Sequence, residues 1–169
     1  MRTQHWQPRR ARESIGLVFA AACWHTVGMA TIYLAGPLFC GPRQAWHRAV
    51  KARIETETGH AVIWPFELFT QEAIEAWGQD APRQVMTHCR DALAACSLVV
   101  ALLDGTQVDD GTAWEIGFAH ARCITVLGVR TDSRNVGDVP GAVVNSMIHA
   151  SCETIVRGVD DLVALLRKY

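Results

Sequence analysis

Residues 97–103, SLVVALL, restrict the possible folds more than any other stretch of this chain. The run is apolar almost throughout. A strand that lacks alternating polar residues is typical of the centre of a parallel sheet, because helices cover both of its faces. The run therefore predicts an α/β protein with this strand near the middle of the sheet.

Strand-like and helix-like segments alternate along the rest of the chain. Residues 42–58 place apolar side chains near the helical period, and Gly59 follows as a suitable C-cap. Strands are predicted at 31–36, 60–65, 97–103, 123–129 and 153–156, and helices at 42–58, 81–96, 111–121, 142–147 and 160–167, with 66–80 as a loop or short helix. This alternation predicts a doubly wound, flavodoxin- or Rossmann-like, five-stranded parallel sheet with helices on both faces.

The length of 169 residues suits one domain, which we place at residues 29–169. Residues 1–28 begin with a basic stretch and continue with a short apolar one. We interpret them as a poorly structured N-terminal extension, with Met29 as a candidate natural start, and a cleaved signal peptide is the alternative. The apolar part is too short to span a membrane, so no membrane association is predicted.

Charge and cysteine content exclude some partners. The formal net charge is -1 without any basic block, so nucleic-acid binding has no electrostatic support. The six cysteines form no C-x-x-C pair, which favours reduced thiols in a cytoplasmic protein. His120 and Cys123 have a metal-like spacing but no second ligand pair, so we expect neither a metal nor another cofactor.

An acidic segment that contains glycine follows the central strand. Residues 104–115 contain four carboxylates: Asp104, Asp109, Asp110 and Glu115. Ligands of doubly wound sheets bind beyond the carboxyl ends of the strands, which places this segment at the expected binding edge. Glu115 would lie in the first or second turn of a helix, where amide dipoles should keep its carboxylate ionised and able to act as a nucleophile.

Asp91, on the helix before the central strand, is predicted to reach the same edge. Two carboxylates around one pocket would divide into a charged nucleophile and a proton donor, as in glycosyl transfer through a covalent sugar intermediate. Three other interpretations stay open: Glu115 as a solvated or capping residue, Asp109 or Asp110 as an N-cap, and a Mg²⁺ site on the aspartates. A phosphate-binding loop is disfavoured, because the glycine patterns of such loops are missing.

These residues resemble the motifs of the nucleoside 2-deoxyribosyltransferase family. IYLAGP at 32–37 is similar to the first strand of the family. Residues 104–105 and 109–119 resemble its acidic motif, D-G followed by D-x-G-T-x-x-E-x-G-x-A. Asp91 matches an aspartate on the preceding helix, and residues 145–148 match a late N-x-M-I motif. The resemblance covers about residues 31–166.

The resemblance implies an enzyme that moves 2-deoxyribose between nucleobases. It implies that Glu115 attacks the anomeric carbon, that Asp91 holds the sugar and protonates the departing base, and that Tyr33 orients Glu115. Substrate-binding roles are implied for Asp109, Asn145, Gly36, Phe39 and Gly111, with Phe39 stacking on the base. The implied partners are a 2′-deoxynucleoside and a free nucleobase. The implied assembly is a homo-oligomer, dimer or hexamer, in which Asn145 serves the neighbouring subunit's site.

Three alternatives to base transfer stay open. The same Glu115 would serve an N-glycosidase that passes the sugar to water. A related branch of the family hydrolyses 2′-deoxynucleoside 5′-monophosphates, but it has serines at the positions of Asp109 and Asn145. An ionised carboxylate cannot donate a hydrogen bond to phosphate, so nucleosides are the expected substrates. The third alternative is a module that binds a nucleotide-derived ligand without turnover.

Overall fold

The computed structural model describes residues 29–169, and the predictions for residues 1–28 lie outside this range. Five strands form one sheet: β1 (Thr31–Ala35), β2 (Ala61–Ile63), β3 (Leu98–Leu102), β4 (Thr125–Val129) and β5 (Thr154–Val156). Six α-helices accompany them: α1 (Gly41–Thr58), α2 (Gln71–Trp77), α3 (Ala81–Ala94), α4 (Asp110–Ala121), α5 (Ser146–Ser151) and α6 (Val159–Leu166).

The sheet is parallel throughout, with the strand order β2-β1-β3-β4-β5. This order confirms the predicted doubly wound α/β fold of the flavodoxin type. Every residue of β3 is buried, as the apolar run predicted, since helices cover both faces of this strand.

Alternate residues of each strand pack on opposite faces of the sheet. Ile32, Leu34, Leu98 and Val100 pack against apolar side chains of α1 and α6. Tyr33 and the odd-numbered residues of β3 pack against α3 and α4. The period of two residues in a strand thus directs Tyr33 toward the helix that carries the acidic segment.

The structure corrects one segment of the predicted secondary structure and shows a short helix in another, 66–80, as one of the two predicted possibilities. The helix expected at 142–147 begins only at Ser146, because the Asn145 side chain accepts a hydrogen bond from the Met147 amide at 3.0 Å and caps it. Within 66–80, Thr70 caps α2 in the same way through the amide of Ala73. Both are short side-chain caps that apolar periodicity does not reveal. No helix within residues 29–169 is long and apolar enough to cross a membrane.

Candidate active site

The strand order reverses at β1, which pairs with β2 on one side and with β3 on the other. The carboxyl ends of β1 and β3 therefore border the crevice where doubly wound sheets bind ligands. Tyr33 lies in β1, and the acidic segment follows β3 directly. The fold brings both to the same edge of the sheet, as predicted.

Glu115 contacts Tyr33 inside the protein. The Asp109 side chain accepts hydrogen bonds from the amide and the hydroxyl of Thr112, at 3.1 and 3.2 Å, and so starts α4 at residue 110. Glu115 then lies in the second turn of the helix. The Tyr33 hydroxyl donates a hydrogen bond of 2.6 Å to its Oε1 atom. A short bond to a carboxylate fixes the orientation of that group.

Burial raises the pKa of Glu115 from 4.5 to about 7. Loss of hydration is the main cause, the negative charge of Asp109 acts in the same direction, and the Tyr33 hydrogen bond opposes both. Desolvation therefore outweighs the helix dipole, and Glu115 is only partly ionised near pH 7, where the dipole alone would keep it fully ionised. Burial and Glu115 also raise the pKa of Tyr33 well above 10, so Tyr33 remains a hydrogen-bond donor.

A cavity of about 500 Å³ opens beside Glu115, between α3 and α4. This is within the size range of small-molecule sites. Its walls are formed by Ala81, Pro82, Val85, Met86, Cys89, Gly111, Trp114 and Glu115. Glu115 is the only charged residue among these eight. The cavity therefore presents one carboxylate to a ligand that is otherwise surrounded by apolar side chains.

The structure does not bring Asp91 into this cavity. Its carboxylate is exposed and pairs with Arg90 at 2.7 Å. The residues of α3 that line the cavity recur every three or four positions, so a residue two positions beyond Cys89 faces away. The expectation that Asp91 and Glu115 share a pocket is wrong for this reason.

Cys89 occupies the place where Asp91 was expected, and the sequence analysis missed it. Burial raises the pKa of its thiol, which interacts with the Tyr33 hydroxyl and lies within the field of Glu115. The helical period along α3 would have indicated this position.

Asp109 and Gly111 lie together with Glu115 at the start of α4. A Cβ atom on Gly111 would come within 3.3 Å of the Asp109 carboxylate, so glycine leaves that carboxylate room beside the cavity. Asp109 is close enough to raise the pKa of Glu115. Their roles in substrate binding stay predictions.

Gly36 and Phe39 lie in the loop after β1. A Cβ atom on Gly36 would be only 2.1 Å from Nε2 of His47, which is fully buried beneath it. Packing therefore requires glycine at this position, whatever its role toward a ligand. Phe39 is 86% exposed, and its predicted stacking on a base stays a prediction.

Asn145 lies away from the cavity beside Glu115. Besides capping α5, its amide donates a hydrogen bond to Asp138 at 3.1 Å. It borders a separate cavity of about 270 Å³, which includes Asp110 and Ala113 of α4. Asn145 is exposed, and its predicted role in a neighbouring subunit stays a prediction.

The acidic segment does not assemble a metal site. Within residues 29–169 no group of three histidine, cysteine or carboxylate side chains is placed to hold an ion. The Asp104 carboxylate accepts hydrogen bonds from the amides of Thr131 and Asp132, at 2.6 and 2.9 Å. Asp109 is engaged at the N-terminus of α4. The alternative of a Mg²⁺ site on these aspartates therefore has no support.

A partly buried carboxylate, aligned by a tyrosine and facing a small cavity at the switch point of a parallel sheet, is the arrangement expected of an α/β protein that acts on small ligands. The chain belongs to the nucleoside 2-deoxyribosyltransferase family, whose model matches residues 32–147, more than half of the chain. This match confirms the predicted family and the predicted class of enzyme. No curated protein matches the chain.

Solved structures share the fold. A conserved protein from Enterococcus faecalis V583 is 25% identical, with a TM-score of 0.70 over 83% of this chain and 99% of that one. A 2-deoxyribosyltransferase from Bacillus psychrosaccharolyticus is 24% identical, with a TM-score of 0.64 over 81% and 96%. A CMP N-glycosidase from Clostridium botulinum is 20% identical, with a TM-score of 0.51 over 82% and 98%.

Proposed function

We propose that this enzyme transfers 2-deoxyribose between nucleobases of 2′-deoxynucleosides, with Glu115 as the nucleophile. The observation that carries the proposal is the Glu115 carboxylate, which Tyr33 orients at 2.6 Å beside a cavity of about 500 Å³. An oriented carboxylate of this kind is suited to form a covalent glycosyl ester. The family to which the chain belongs supports the choice of sugar and base.

The first half-reaction transfers the sugar to the protein. Tyr33 occupies Oε1 of Glu115, so we assign the attack on C1′ to Oε2. As the new C–O bond forms, the bond from C1′ to the base nitrogen breaks and its electron pair leaves with the base. The base then takes up one proton. The products are a free nucleobase and a deoxyribosyl ester of Glu115.

The second half-reaction regenerates the carboxylate. A ring nitrogen of an incoming base bonds to C1′, the ester C–O bond breaks, and the base loses its proton. Glu115 leaves with the electron pair of the broken bond, and the Tyr33 hydroxyl stabilises the returning charge. With water in place of the base, the same step is hydrolysis.

The leaving base needs a proton from a group beside the cavity. Asp91 is exposed on the far side of α3 and pairs with Arg90, so it is not placed to supply this proton. Asp109 is the carboxylate whose negative charge raises the pKa of Glu115. We propose that Asp109 binds the sugar or passes the proton to the base, because it lies at the start of α4 beside the cavity.

Intact-mass measurement tests the covalent intermediate. We expect the protein to gain the mass of one dehydrated deoxyribose after incubation with a 2′-deoxynucleoside. Glu115→Gln should abolish that gain, whereas Asp91→Asn, which alters an exposed carboxylate on a neighbouring helix, should retain it. Turnover of the substrate without any adduct on the folded wild type would count against a glutamate ester.

The fate of the sugar separates transfer from hydrolysis. Deoxyinosine with added adenine should yield deoxyadenosine, while an N-glycosidase would yield only hypoxanthine and deoxyribose. A CMP N-glycosidase shares the fold, so CMP and a deoxynucleoside 5′-monophosphate belong in the same assay. We expect the nucleoside to react faster than either nucleotide, because Asp109 places an acidic side chain, and not a hydroxyl donor such as serine, beside the cavity. A sensing module would bind without turnover.

We also propose that the enzyme works as a homo-oligomer in which Asn145 completes the site of a neighbouring subunit. Asn145 is exposed and lies away from its own Glu115, which leaves it accessible to a second chain. Met86 and Trp114, beside the cavity, are 41% and 47% exposed. Mixing Asn145→Ala subunits with Glu115→Gln subunits should restore activity if sites are shared. Separate, self-sufficient sites would show no restoration.

A further inference from the structure

A buried cation holds the loop that leads from β3 into α4. Arg130 follows β4 directly and is 0% exposed. Its guanidinium donates hydrogen bonds to the backbone carbonyls of Leu103 and Gly105, at the end of β3. It also donates to the carbonyl of Arg134, at 2.7 Å. These bonds join the loop after β3 to the loop after β4.

A second set of bonds joins the same two loops in the opposite direction. The Asp104 carboxylate accepts from the amide and the hydroxyl of Thr131 and from the amide of Asp132. We call residues 103–105 and 130–134, joined by these bonds, the loop clasp. A cation from one loop and an anion from the other are both satisfied by backbone groups of the facing loop, so the relative position of the two loops is fixed.

The loop clasp lies close in the chain to the start of α4, which the Asp109 cap defines. The part of the clasp that follows β3 ends at Gly105, whose backbone φ of +117° is a conformation that glycine adopts readily. Only three residues separate Gly105 from Asp109, the N-cap of α4, and one of them, Val108, is packed into the core. Because this connection is short, the position of the clasp restricts where the first turns of α4 can lie. The distance between the Glu115 carboxylate and the Tyr33 hydroxyl therefore depends on where α4 starts.

We propose that Arg130 is a positioning residue for the reaction: it fixes the loop at 103–109 and thereby aligns Asp109 and Glu115 with Tyr33 in β1. Arg130 is fully buried, so it acts through these residues and not on the substrate. The inference rests on the proposed function, because alignment of Glu115 matters only if Glu115 reacts.

Arg130→Met, compared with Arg134→Met, tests the proposal. Both changes replace one arginine of the loop clasp, but the Arg134 side chain is 59% exposed and pairs with Asp132 within its own loop. Base release should be measured in a single turnover at saturating 2′-deoxynucleoside, well below the melting temperature of each protein. Titration of the covalent adduct gives the fraction of active sites.

We expect Arg130→Met to lower the single-turnover rate per active site by about a hundredfold, the cost of a displacement of about 1 Å. KM should change little, because the α3 wall of the cavity is unaltered. The acid limb of the rate profile, about pH 7 in the wild type, should move to higher pH as Glu115 loses its hydrogen bond to Tyr33, because that bond lowers the pKa of Glu115. Arg134→Met should keep the wild-type rate and limb. If Arg130 only stabilised the fold, Arg130→Met would reduce the fraction of active sites but change neither the rate per active site nor the acid limb.

Arg130→Lys covers the case in which Arg130→Met does not fold. Lysine keeps the charge, but its single ammonium group lacks the fork that reaches both Leu103 and Gly105. Its rate should lie between those of the wild type and the Met variant, with the acid limb moved in the same direction. A folded Arg130→Lys protein with the wild-type rate and limb would overturn the positioning role alone. Wild-type protein that releases no base would overturn the proposed function as well.

Discussion

Replacing Glu115 by glutamine should stabilise the folded protein at alkaline pH while it removes the proposed nucleophile. Burial raises the pKa of Glu115 in the folded state to about 7, compared with 4.5 for a hydrated glutamate. The folded state therefore binds this proton more tightly than the unfolded state. Wild-type stability from this group is fully present below pH 4.5 and is lost as the pH rises through 7. Glutamine resembles protonated glutamate at every pH.

The size of the effect follows from the same two pKa values. The difference between 4.5 and about 7 corresponds to roughly 3 kcal/mol of unfolding free energy once Glu115 is ionised. For a domain of this length, that corresponds to a rise of about 6–12 °C in melting temperature. Below pH 4.5 the two proteins should melt together, since both then carry a neutral group hydrogen-bonded to Tyr33.

Thermal unfolding of wild type and Glu115→Gln between pH 4 and pH 9 measures this difference. Subtracting one curve from the other cancels every other titrating group. Glu75→Gln is a matched control, because Glu75 is exposed and the same change there should give a flat difference. A Glu115→Gln protein that is no more stable than the wild type at pH 9 would refute the assignment of a desolvated carboxylate, whatever its activity.

Four further predictions follow from the same site. Base release should increase with pH through about pH 7 as Glu115 ionises, in a pH–rate profile of kcat/KM. Tyr33→Phe removes a bond that lowers the pKa of Glu115, so that limb should move to higher pH; an unmoved limb contradicts the role of the hydroxyl. Cys89→Asp places a second carboxylate near Glu115 and should also move the limb upward, whereas Cys89→Ser should not, in the same profiles. Gly36→Ala should destabilise the fold by about 1–3 kcal/mol in urea unfolding, because its Cβ collides with His47; His47→Ala should relieve most of this cost.

Much of the fold was predictable, because the signals lie along the chain. The apolar run at 97–103 and the alternation of strands and helices depend on neighbouring residues, and both predicted the parallel sheet correctly. The site was predictable only in part. Glu115 and Tyr33 meet as the family resemblance implied. This is because β1 and β3 are neighbours in the sheet, and α4 follows β3 at the same edge.

Helix register and loop contacts escaped the sequence analysis. The carboxylate of Asp91 suggests a catalytic role, yet the rotation of α3 places Cys89 in the cavity with Glu115 and turns Asp91 to solvent. Arg130 lies next to a polar segment of the sequence, although it is buried and joins two loops that lie 25 residues or more apart in the chain. Neither contact has a signature in local composition.

The sequence by itself determined the sheet, the family and the carboxylate that we propose as the nucleophile. All three depend on residues close together in the chain, through strand periodicity, apolar runs and short motifs. Only the tertiary structure decided the pKa of Glu115 and which side chains surround it in the cavity. A pKa depends on how much water and which charges surround a group in three dimensions, and that surrounding comes from helix packing and not from the neighbours along the chain.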